Sequence, residues 1–405
     1  MSERIEVGLR RVPDLDPGAP LPEGDPRLLD HIASEIRASG PMPFSRFMAI
    51  ALFDPEAGYY TGTGTGPGAG RARGPGRAAD FLTAPESHPI FGWAIARRLE
   101  EAWTDLGRPS RFVIREHGAA SGALAVGILD GLRRSGSGLL QAVRYQPIEV
   151  SPAAGAAFAT RLDAADLAHF VDPPDDRRAP GAVIANELLD AQPVHRVEGA
   201  PDGGLLERYV ELGPSGALTT ALGEPSTPAL AERLAAEGVR LEPGQAAEIC
   251  LAIDAWVGTA VAPLERGLLL VIDYGYPATE LYAPSRGSTL RAYHRHRVHA
   301  DPLVAIGLQD LTAHVDLTAV ERAAVAAGLE PLRRTTQAEY LAGLGLGGLL
   351  VGLQAEPGAS LESYLAARSA VVRMLDPRAT GGFAVVELGR GLPHEAAPAR
   401  GDRSR

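Results

Sequence analysis

Lysine is absent from this chain of 405 residues, so all 39 of its basic residues are arginines. Without lysine the chain has neither the Schiff-base residue of pyridoxal-phosphate enzymes nor the phosphate-binding lysine of a P-loop, and both enzyme classes are excluded. The single cysteine, Cys250, excludes an internal disulfide bond and any metal site built on several cysteines. The chemistry of the protein must rest on other residue types.

Charge and hydropathy exclude further classes of protein. The net charge of −11 argues against a nucleic-acid binder that works through phosphate contacts. No apolar run has the length of a membrane-spanning helix. The N-terminal residues lack the hydrophobic region of a secretory signal, and their mixed charges fit a transit peptide poorly. We therefore expect a cytoplasmic protein with no membrane insertion and no nucleic-acid partner.

Strands and helices alternate along most of the chain. Short apolar runs predict strands, and apolar residues at helical spacing predict helices between them. The predicted strands are 111–116, 143–150, 182–185, 205–212, 267–273 and 383–389, and the predicted helices are 27–39, 44–52, 90–106, 121–134, 152–162, 229–237, 245–257, 317–328 and 361–374. This order predicts an α/β fold with a doubly wound, mostly parallel, Rossmann-like sheet that carries helical and hairpin insertions.

Acidic side chains recur where the predicted strands end. Glu116 and Glu149 end the first two strands, Glu187 follows the third, and Asp273 ends a later one. In an open parallel sheet, ligands bind beyond the carboxyl ends of the strands. Carboxylates there suit a hydroxyl-rich or cationic ligand, whereas a dinucleotide needs a bare helix N-terminus for its pyrophosphate. S-adenosylmethionine, with a ribose, an adenine and a positive sulfonium centre, fits this pattern.

The candidate cofactor-binding residues follow the first two strands. Glu149 is placed to accept hydrogen bonds from the ribose hydroxyls, and Glu116 suits the cationic groups. The full set is Glu116, Gly118, Ala120, Gly122, Glu149 and Ser151. A simple turn for the glycines and a helix N-terminal charge for Glu149 are the plainer interpretations. A NAD-dependent oxidoreductase is less favoured, because "GAASG" lacks the third glycine of a dinucleotide fingerprint.

Seven segments, in order along residues 30–390, make the chain similar to a known family. They are GPMPFSRFMAIALFDPEAGYY (40–60), DFLTAPESHPIFG (80–92), IEVSP (148–152), VIANELLDAQPV (183–194), VIDYGYP (271–277), STLRAYHRHRVHADPL (288–303) and QDLTAHVDL (309–317). On these motifs the chain resembles the MidA-type class I S-adenosylmethionine-dependent methyltransferases, which include the mitochondrial complex I assembly factor that methylates an arginine. The resemblance implies an enzyme whose substrate is an arginine side chain of a protein partner.

The resemblance also implies where the methyl acceptor lies, namely beside the segment NELLD. Glu187 is expected to orient the acceptor or take its proton, because a protonated guanidinium has no free lone pair. Asp190 supports Glu187, and Asn186 directs an acceptor nitrogen. The acceptor-side candidates from the TAPES and DLTAHVD segments are Thr83, Glu86, Asp310, His314 and Asp316. For His314 the alternative is a buried structural histidine.

One departure from the family pattern falls in the cofactor loop. Family loops read as an acid, an apolar residue and then Gly-Pro-Gly-x-Gly, whereas this loop reads EHGAASG over residues 116–122. Ala120 therefore stands where the family has its central glycine. A Cβ there costs little at negative φ and more at positive φ.

We divide the chain into a single methyltransferase domain, residues 27–392, between disordered segments at 1–26 and 393–405. The domain comprises a cap of helices and loops (27–89), a core (90–275) with an insertion (195–262), and acceptor-side and closing elements (276–392). The stretch 61–80, rich in glycine and arginine, lacks the flanking strand and helix of a phosphate loop, so we interpret it as a mobile surface loop or a lid.

Three histidines, His294, His296 and His299, suggest a metal site, but their spacing is not helical and arginines lie between them. We therefore predict no metal and favour a basic surface for an acidic partner protein.

Two other functions stay open: a small-molecule N- or O-methyltransferase, and a non-catalytic assembly factor that keeps the fold. A wide acidic trough would favour a peptide acceptor, and a closed apolar pouch a small molecule. A homodimer also stays open.

Overall fold

A computed structural model describes residues 21–62, 83–295, 297–355 and 360–393 of the chain. Three sequence predictions lie wholly or largely outside these ranges: the disordered segments 1–26 and 393–405, and the loop 61–80. His296 of the histidine cluster also lies outside the described residues.

The described residues form helices and strands over most of their length. The helices are α1 (Pro26–Ser39), α2 (Phe44–Phe53), α3 (Ala84–Ser87), α4 (Ile90–Asp105), α5 (Ala123–Ser135), α6 (Leu139–Ala142), α7 (Pro152–Ala164), α8 (Ala229–Ala236), α9 (Ala252–Val261), α10 (Ala278–Leu281), α11 (Leu317–Ala326), α12 (Gln337–Gly343), α13 (Leu346–Gly352) and α14 (Leu361–Leu375). The strands are β1 (Met42–Pro43), β2 (Phe112–His117), β3 (Val143–Ile148), β4 (Ala179–Asn186), β5 (His195–Gly199), β6 (Leu205–Leu212), β7 (Leu218–Gly223), β8 (Ala246–Ile249), β9 (Leu264–Asp273), β10 (Gly275–Tyr276), β11 (Arg291–His294), β12 (Arg297–His299), β13 (Asp310–Thr312), β14 (Val315–Asp316), β15 (Glu330–Thr336) and β16 (Ala384–Arg390).

The central sheet has six strands in the order β15-β16-β9-β4-β2-β3. Strands β3, β2, β4 and β9 are parallel, β16 runs antiparallel to β9, and β15 runs antiparallel to β16. This topology confirms the predicted doubly wound, mostly parallel sheet. Its central strands are continuous apolar runs because helices cover both faces of the sheet.

Two hydrophobic cores lie on opposite faces of this sheet. Along β4, Val183 and Ala185 belong to the core shared with α1, α2, α9 and α11, while Ala182 and Ile184 belong to the core shared with α4 and α5. The alternation follows from the period of two residues in a strand, which directs successive side chains to opposite faces. With both faces packed, the site must lie at the end of the sheet.

A second, antiparallel sheet in the order β1-β6-β5-β8, with β7 paired to β6, confirms the predicted hairpin insertion. The predicted helix 245–257 is wrong in its first half. Residues Ala246–Ile249 form strand β8, which pairs antiparallel with β5, and the helix begins only at Ala252. A buried run of four residues carries no periodicity that separates strand from helix, so pairing with β5 decides its structure.

Two small sheets, β10-β14 and β12-β11-β13, complete the described strands. Within the described ranges no single helix is both long enough and apolar enough to cross a membrane. One bent pair, α12 followed by residues 346–355, reaches this length and composition when its two parts are taken together.

Candidate active site

The carboxyl ends of β3, β2, β4 and β9 lie side by side at one edge of the sheet. His117 pairs with Ile148 and Ala185, and Asn186 pairs with Ile272, so the residues that follow these positions are neighbours in space. The acidic residues at these ends, Glu116, Glu149, Glu187 and Asp273, are therefore brought to one edge. Ligands of open parallel sheets bind at this edge.

Glu149 ties the loop after β2 to the start of α7. Its Oε2 accepts a hydrogen bond from the Ala120 amide (2.8 Å), and its Oε1 accepts one from the Ser151 amide (2.8 Å). Ser151 in turn caps α7, since its Oγ accepts a hydrogen bond from the Ala154 amide (3.3 Å). Each carboxylate oxygen can accept further hydrogen bonds, so Glu149 can shape the loop and still receive hydroxyl groups of a ligand.

Three residues of the loop 118–122 have left-handed backbone conformations: Gly118 (φ 71°), Ala120 (φ 45°) and Gly122 (φ 81°). A Cβ on Gly118 would lie 2.9 Å from the Leu188 Cδ1, and one on Gly122 would lie 2.8 Å from the Phe158 Cδ2. The positive φ favours glycine at both positions, and an added Cβ would also require these side chains to shift. Of these three residues only Ala120 has a Cβ. An L-residue in the left-handed conformation costs about 1–2 kcal/mol.

Replacing Ala120 with glycine is expected to raise the free energy of unfolding by about 1 kcal/mol, because glycine adopts φ 45° without the clash of a Cβ. Denaturant titration measures the change. Ala119 is the matched control, since this buried neighbour has no positive φ and its replacement by glycine should destabilise the protein. Equal loss of stability in both variants would contradict the strain at Ala120.

Glu116 supplies a buried acid beneath the loop. Its Oε2 accepts a hydrogen bond from the Tyr145 hydroxyl (2.6 Å). Burial raises the pKa of Glu116 to about 8, against the effect of the Tyr145 hydroxyl and with a contribution from Glu149. Burial also lowers the pKa of His117 to about 4, so this neighbour is neutral at pH 7. A cationic ligand would favour the ionised form of Glu116, which fits the sulfonium and ammonium groups of S-adenosylmethionine.

Asp190, which is buried, and Glu187, which is half-buried, form a second pair of acids after β4. Burial first, and then the charge of Asp190, raise the pKa of Glu187 to about 8, although Asn186 donates from its Nδ2 to the Glu187 Oε1 (3.3 Å). Burial raises the pKa of Asp190 to about 6, against the Tyr274 hydroxyl, which donates to the Asp190 Oδ2. Glu187 also has a left-handed backbone (φ 51°), a strain that is commonest at functional sites.

Two polar atoms of this segment are buried without a hydrogen-bond partner among the described residues: the Asn186 Oδ1 and the Asp190 Oδ1. Both atoms accept hydrogen bonds and neither donates. Buried acceptors of this kind cost free energy unless a donor reaches them. The segment therefore suits a ligand that carries several N–H groups.

Asp310, one of the acceptor-side candidates, lies on a strand next to the NELLD segment. Ala313, the residue after β13, donates from its amide to the Asp190 carbonyl (2.9 Å). Asp310 begins this strand, and its Oδ1 accepts a hydrogen bond from the Tyr60 hydroxyl (2.8 Å). After burial, the charges of Asp310 and Asp190 raise the pKa of Tyr60, which places both carboxylates close to its hydroxyl.

His314 lies among aromatic rings beside the same acids. Its ring centroid is 5.6 Å from that of Tyr274 and 5.5 Å from that of Tyr276. Burial lowers the pKa of His314 to about 4. Its Nδ1 is buried without a hydrogen-bond partner in the described part of the chain.

The structure places two predicted acceptor-side residues elsewhere. Glu86 accepts hydrogen bonds from the Ser121 hydroxyl and from Arg161 (3.0 and 3.2 Å), so it lies against the cofactor loop. Asp316 caps α11, since its Oδ1 accepts a hydrogen bond from the Ala319 amide (3.0 Å). Both carboxylates serve local structure that a sequence motif does not reveal. Thr83 is buried and precedes α3 as its N-cap residue.

Three residues at the strand ends were given no binding or catalytic role from the sequence: Val150, Asp273 and Tyr274. Val150 follows Glu149 and exposes 66% of its surface, an apolar platform at the strand end. Asp273 and Tyr274 end β9 and contact the NELLD segment. Their position in VIDYGYP was a signal, because the same strand-end rule applies to β9 as to β2 and β3. Over the described ranges, no group of three or more acidic, histidine or cysteine residues is arranged to hold a metal ion.

Comparisons with known proteins agree with this geometry. Residues 94–335 match the family model described as "Putative S-adenosyl-L-methionine-dependent methyltransferase". The chain is 28% identical over 361 residues to the Drosophila melanogaster protein "Protein arginine methyltransferase NDUFAF7 homolog, mitochondrial", covering 80% of this chain and 78% of that one. The mouse protein "Protein arginine methyltransferase NDUFAF7, mitochondrial" is 28% identical over 342 residues, with 76% and 72% covered.

A solved structure is also similar over nearly the whole chain. It is a Burkholderia thailandensis protein bound to S-adenosyl-homocysteine, 33% identical, with a TM-score of 0.79 over 93% of this chain and 96% of that one. The expectation of a cytoplasmic location is wrong by the same comparisons, because the curated relatives are named as mitochondrial proteins.

Proposed function

Since the chain belongs to the family of S-adenosyl-L-methionine-dependent methyltransferases whose model it matches, we propose that it methylates the guanidinium group of an arginine in a protein partner. Family membership confirms the predicted fold class, the enzymatic activity and the cofactor. The arginine acceptor is supported chiefly by one observation: the half-buried Glu187 and the buried Asp190 follow β4 together with Asn186, and the Asn186 Oδ1 and the Asp190 Oδ1 are buried without a partner among the described residues. The names of the curated relatives support the same acceptor.

Residues after β2 and β3 would hold the cofactor, which supplies a methyl group on an electrophilic sulfonium centre. Glu149 would accept hydrogen bonds from ribose hydroxyls while it keeps the hydrogen bonds that it accepts from the Ala120 and Ser151 amides. Val150 would offer its exposed apolar side chain to the adenine. Glu116 would be the counter-charge for the cationic groups, because no described side chain forms an ion pair with it.

The residues after β4 would hold the acceptor. A guanidinium is planar, donates five hydrogen bonds and stays protonated in proteins, so it requires acceptors and a negative charge. Glu187, Asp190 and the Asn186 Oδ1 provide both. A bidentate contact with a carboxylate would fix the plane of the guanidinium as well as its position. Glu187 then accepts the proton that the substituted nitrogen must lose.

The pH dependence of the reaction follows from the raised pKa of Glu187. Only the ionised carboxylate can accept a proton, and its pKa of about 8 means that this form decreases roughly tenfold for each pH unit below 8. We expect kcat/KM for the acceptor to rise roughly tenfold per unit from pH 6 to 7.5 and to level off above 8. Saturating S-adenosylmethionine removes any contribution from Glu116. A flat profile between pH 6 and 8 would exclude Glu187 as the base.

The proposal is tested by the chemical identity of the product. The purified enzyme is incubated with methyl-tritiated S-adenosylmethionine and a cell extract of the source organism, and the label is separated into protein and small-molecule fractions. We expect label in protein that appears as methylarginine after acid hydrolysis. Label confined to small molecules would support the alternative of a small-molecule methyltransferase. Tight S-adenosyl-homocysteine binding with no labelled product would support the non-catalytic assembly factor.

A further inference from the structure

Asp273 accepts hydrogen bonds from backbone amides of the segment that carries the proposed acceptor-binding residues. Its Oδ2 accepts hydrogen bonds from the amides of Leu188 (3.1 Å) and Leu189 (2.9 Å), and its Oδ1 accepts one from the Tyr274 amide (2.9 Å). The carboxyl group is buried, with 1% of the residue exposed. Both oxygens therefore act as acceptors, and both face backbone N–H groups.

These contacts hold a strained segment. Glu187 has φ 51°, a conformation that costs a non-glycine residue about 1–3 kcal/mol and persists only where surrounding contacts determine it. The Glu187 amide donates to the Ile272 carbonyl (2.8 Å) on one side, and the Ala313 amide donates to the Asp190 carbonyl (2.9 Å) on the other. Asp273 holds the two residues between these anchors.

We propose that Asp273 is a positioning residue for methyl transfer, which fixes the backbone of residues 187–190 so that the side chains of Glu187 and Asp190 face the acceptor. The inference rests on the proposed function of Glu187. Asp273 contacts neither the loop 118–122 nor Glu149 in the described hydrogen bonds, so its effect should fall on the acceptor and not on the cofactor.

The D273N variant tests the proposal. Asparagine keeps the size of the side chain, but its amide nitrogen is a donor that must face a backbone N–H. We expect kcat to fall at least roughly 50-fold, which a lost charge-assisted contact of about 2–3 kcal/mol would give, while the Kd for S-adenosyl-homocysteine changes less than about twofold. The pH at which kcat/KM for the acceptor levels off should also change, because the surroundings of Glu187 would change.

Glu387 provides the matched control. It is a buried acid on the adjacent strand β16, with Arg98 (2.8 Å) and Tyr340 as partners, so E387Q should cost stability without changing kcat. If D273N is too unstable to assay at the usual temperature, the variant and the wild type are compared at a lower temperature at which D273N is folded. Wild-type kcat in a folded Asp273 variant, or an equal loss of cofactor affinity, would overturn the proposal. An inactive wild type would instead contradict the proposed function itself.

Discussion

The E187Q variant is expected to lose turnover by about 10²–10⁴-fold, the usual contribution of a positioned general base. Glutamine has nearly the same shape as glutamate but cannot accept a proton, and its amide nitrogen would face the donors of the guanidinium. Affinity for S-adenosyl-homocysteine should stay unchanged, because the cofactor residues lie after β2 and β3. The measurements are tritium transfer to protein and calorimetric titration. Full activity of E187Q would contradict the role of Glu187.

A second signature of E187Q distinguishes loss of chemistry from loss of structure. The pKa of Glu187 is raised from 4.5 to about 8, so the stability that this group contributes is present below pH 4.5 and is lost as the pH rises through 8. Glutamine cannot ionise, so the E187Q variant has no such loss of stability as the pH rises. E187Q should therefore gain stability relative to the wild type as the pH increases from 5 to 9. Denaturant titrations at these two pH values measure the difference.

Glu237 is the matched control for E187Q. Burial and the neighbouring Asp316 raise its pKa to about 8 as well, but it lies just after α8 among Arg233, Arg322 and the Asp316 cap. E237Q should change stability and leave methyl transfer unaffected. Equal loss of turnover in both variants would show that any buried acid of this fold is needed for folding, and the assignment of Glu187 would fail.

The E149A variant is expected to weaken binding of S-adenosyl-homocysteine by about 10–100-fold, since each charge-assisted hydrogen bond that it removes contributes about 1.5–3 kcal/mol. Alanine removes the acceptor for the ribose and also releases the Ala120 and Ser151 amides, so the loop loses its shape. Calorimetric titration measures the affinity. S121A is the control, because it removes only the side-chain contact between the loop and Glu86. Unchanged affinity of E149A would remove Glu149 from the ribose role.

The strand-end rule explains how much of the site could be predicted from the sequence. Glu116, Glu149 and Glu187 were placed by their position after apolar runs, and the parallel sheet brings those positions to one edge. The rule depends only on strand order and side-chain type, which a single sequence contains. The same rule pointed to Asp273, but its role depends on the amides of Leu188 and Leu189, 84 residues or more away in the chain.

Other features depend on backbone conformation and pairing that the sequence does not encode locally. Ala120 and Glu187 have positive φ in segments that distant carboxylates hold, Glu149 through the Ala120 amide and Asp273 through the Leu189 amide, and no propensity predicts this for alanine or glutamate. Residues Ala246–Ile249 became a strand because β5 was available as a partner. Glu86 lies against the cofactor loop because α7 provides Arg161.

We infer that carboxylates at the strand ends form a site for S-adenosylmethionine, with Ala120 tolerated in the loop. Calorimetric titration of the purified protein with S-adenosylmethionine, S-adenosyl-homocysteine and NAD tests this inference. We expect micromolar binding of both adenosyl ligands and no binding of NAD, whose pyrophosphate the acidic edge repels. A folded protein that binds NAD as tightly as the adenosyl ligands, or that binds none of the three, would contradict it.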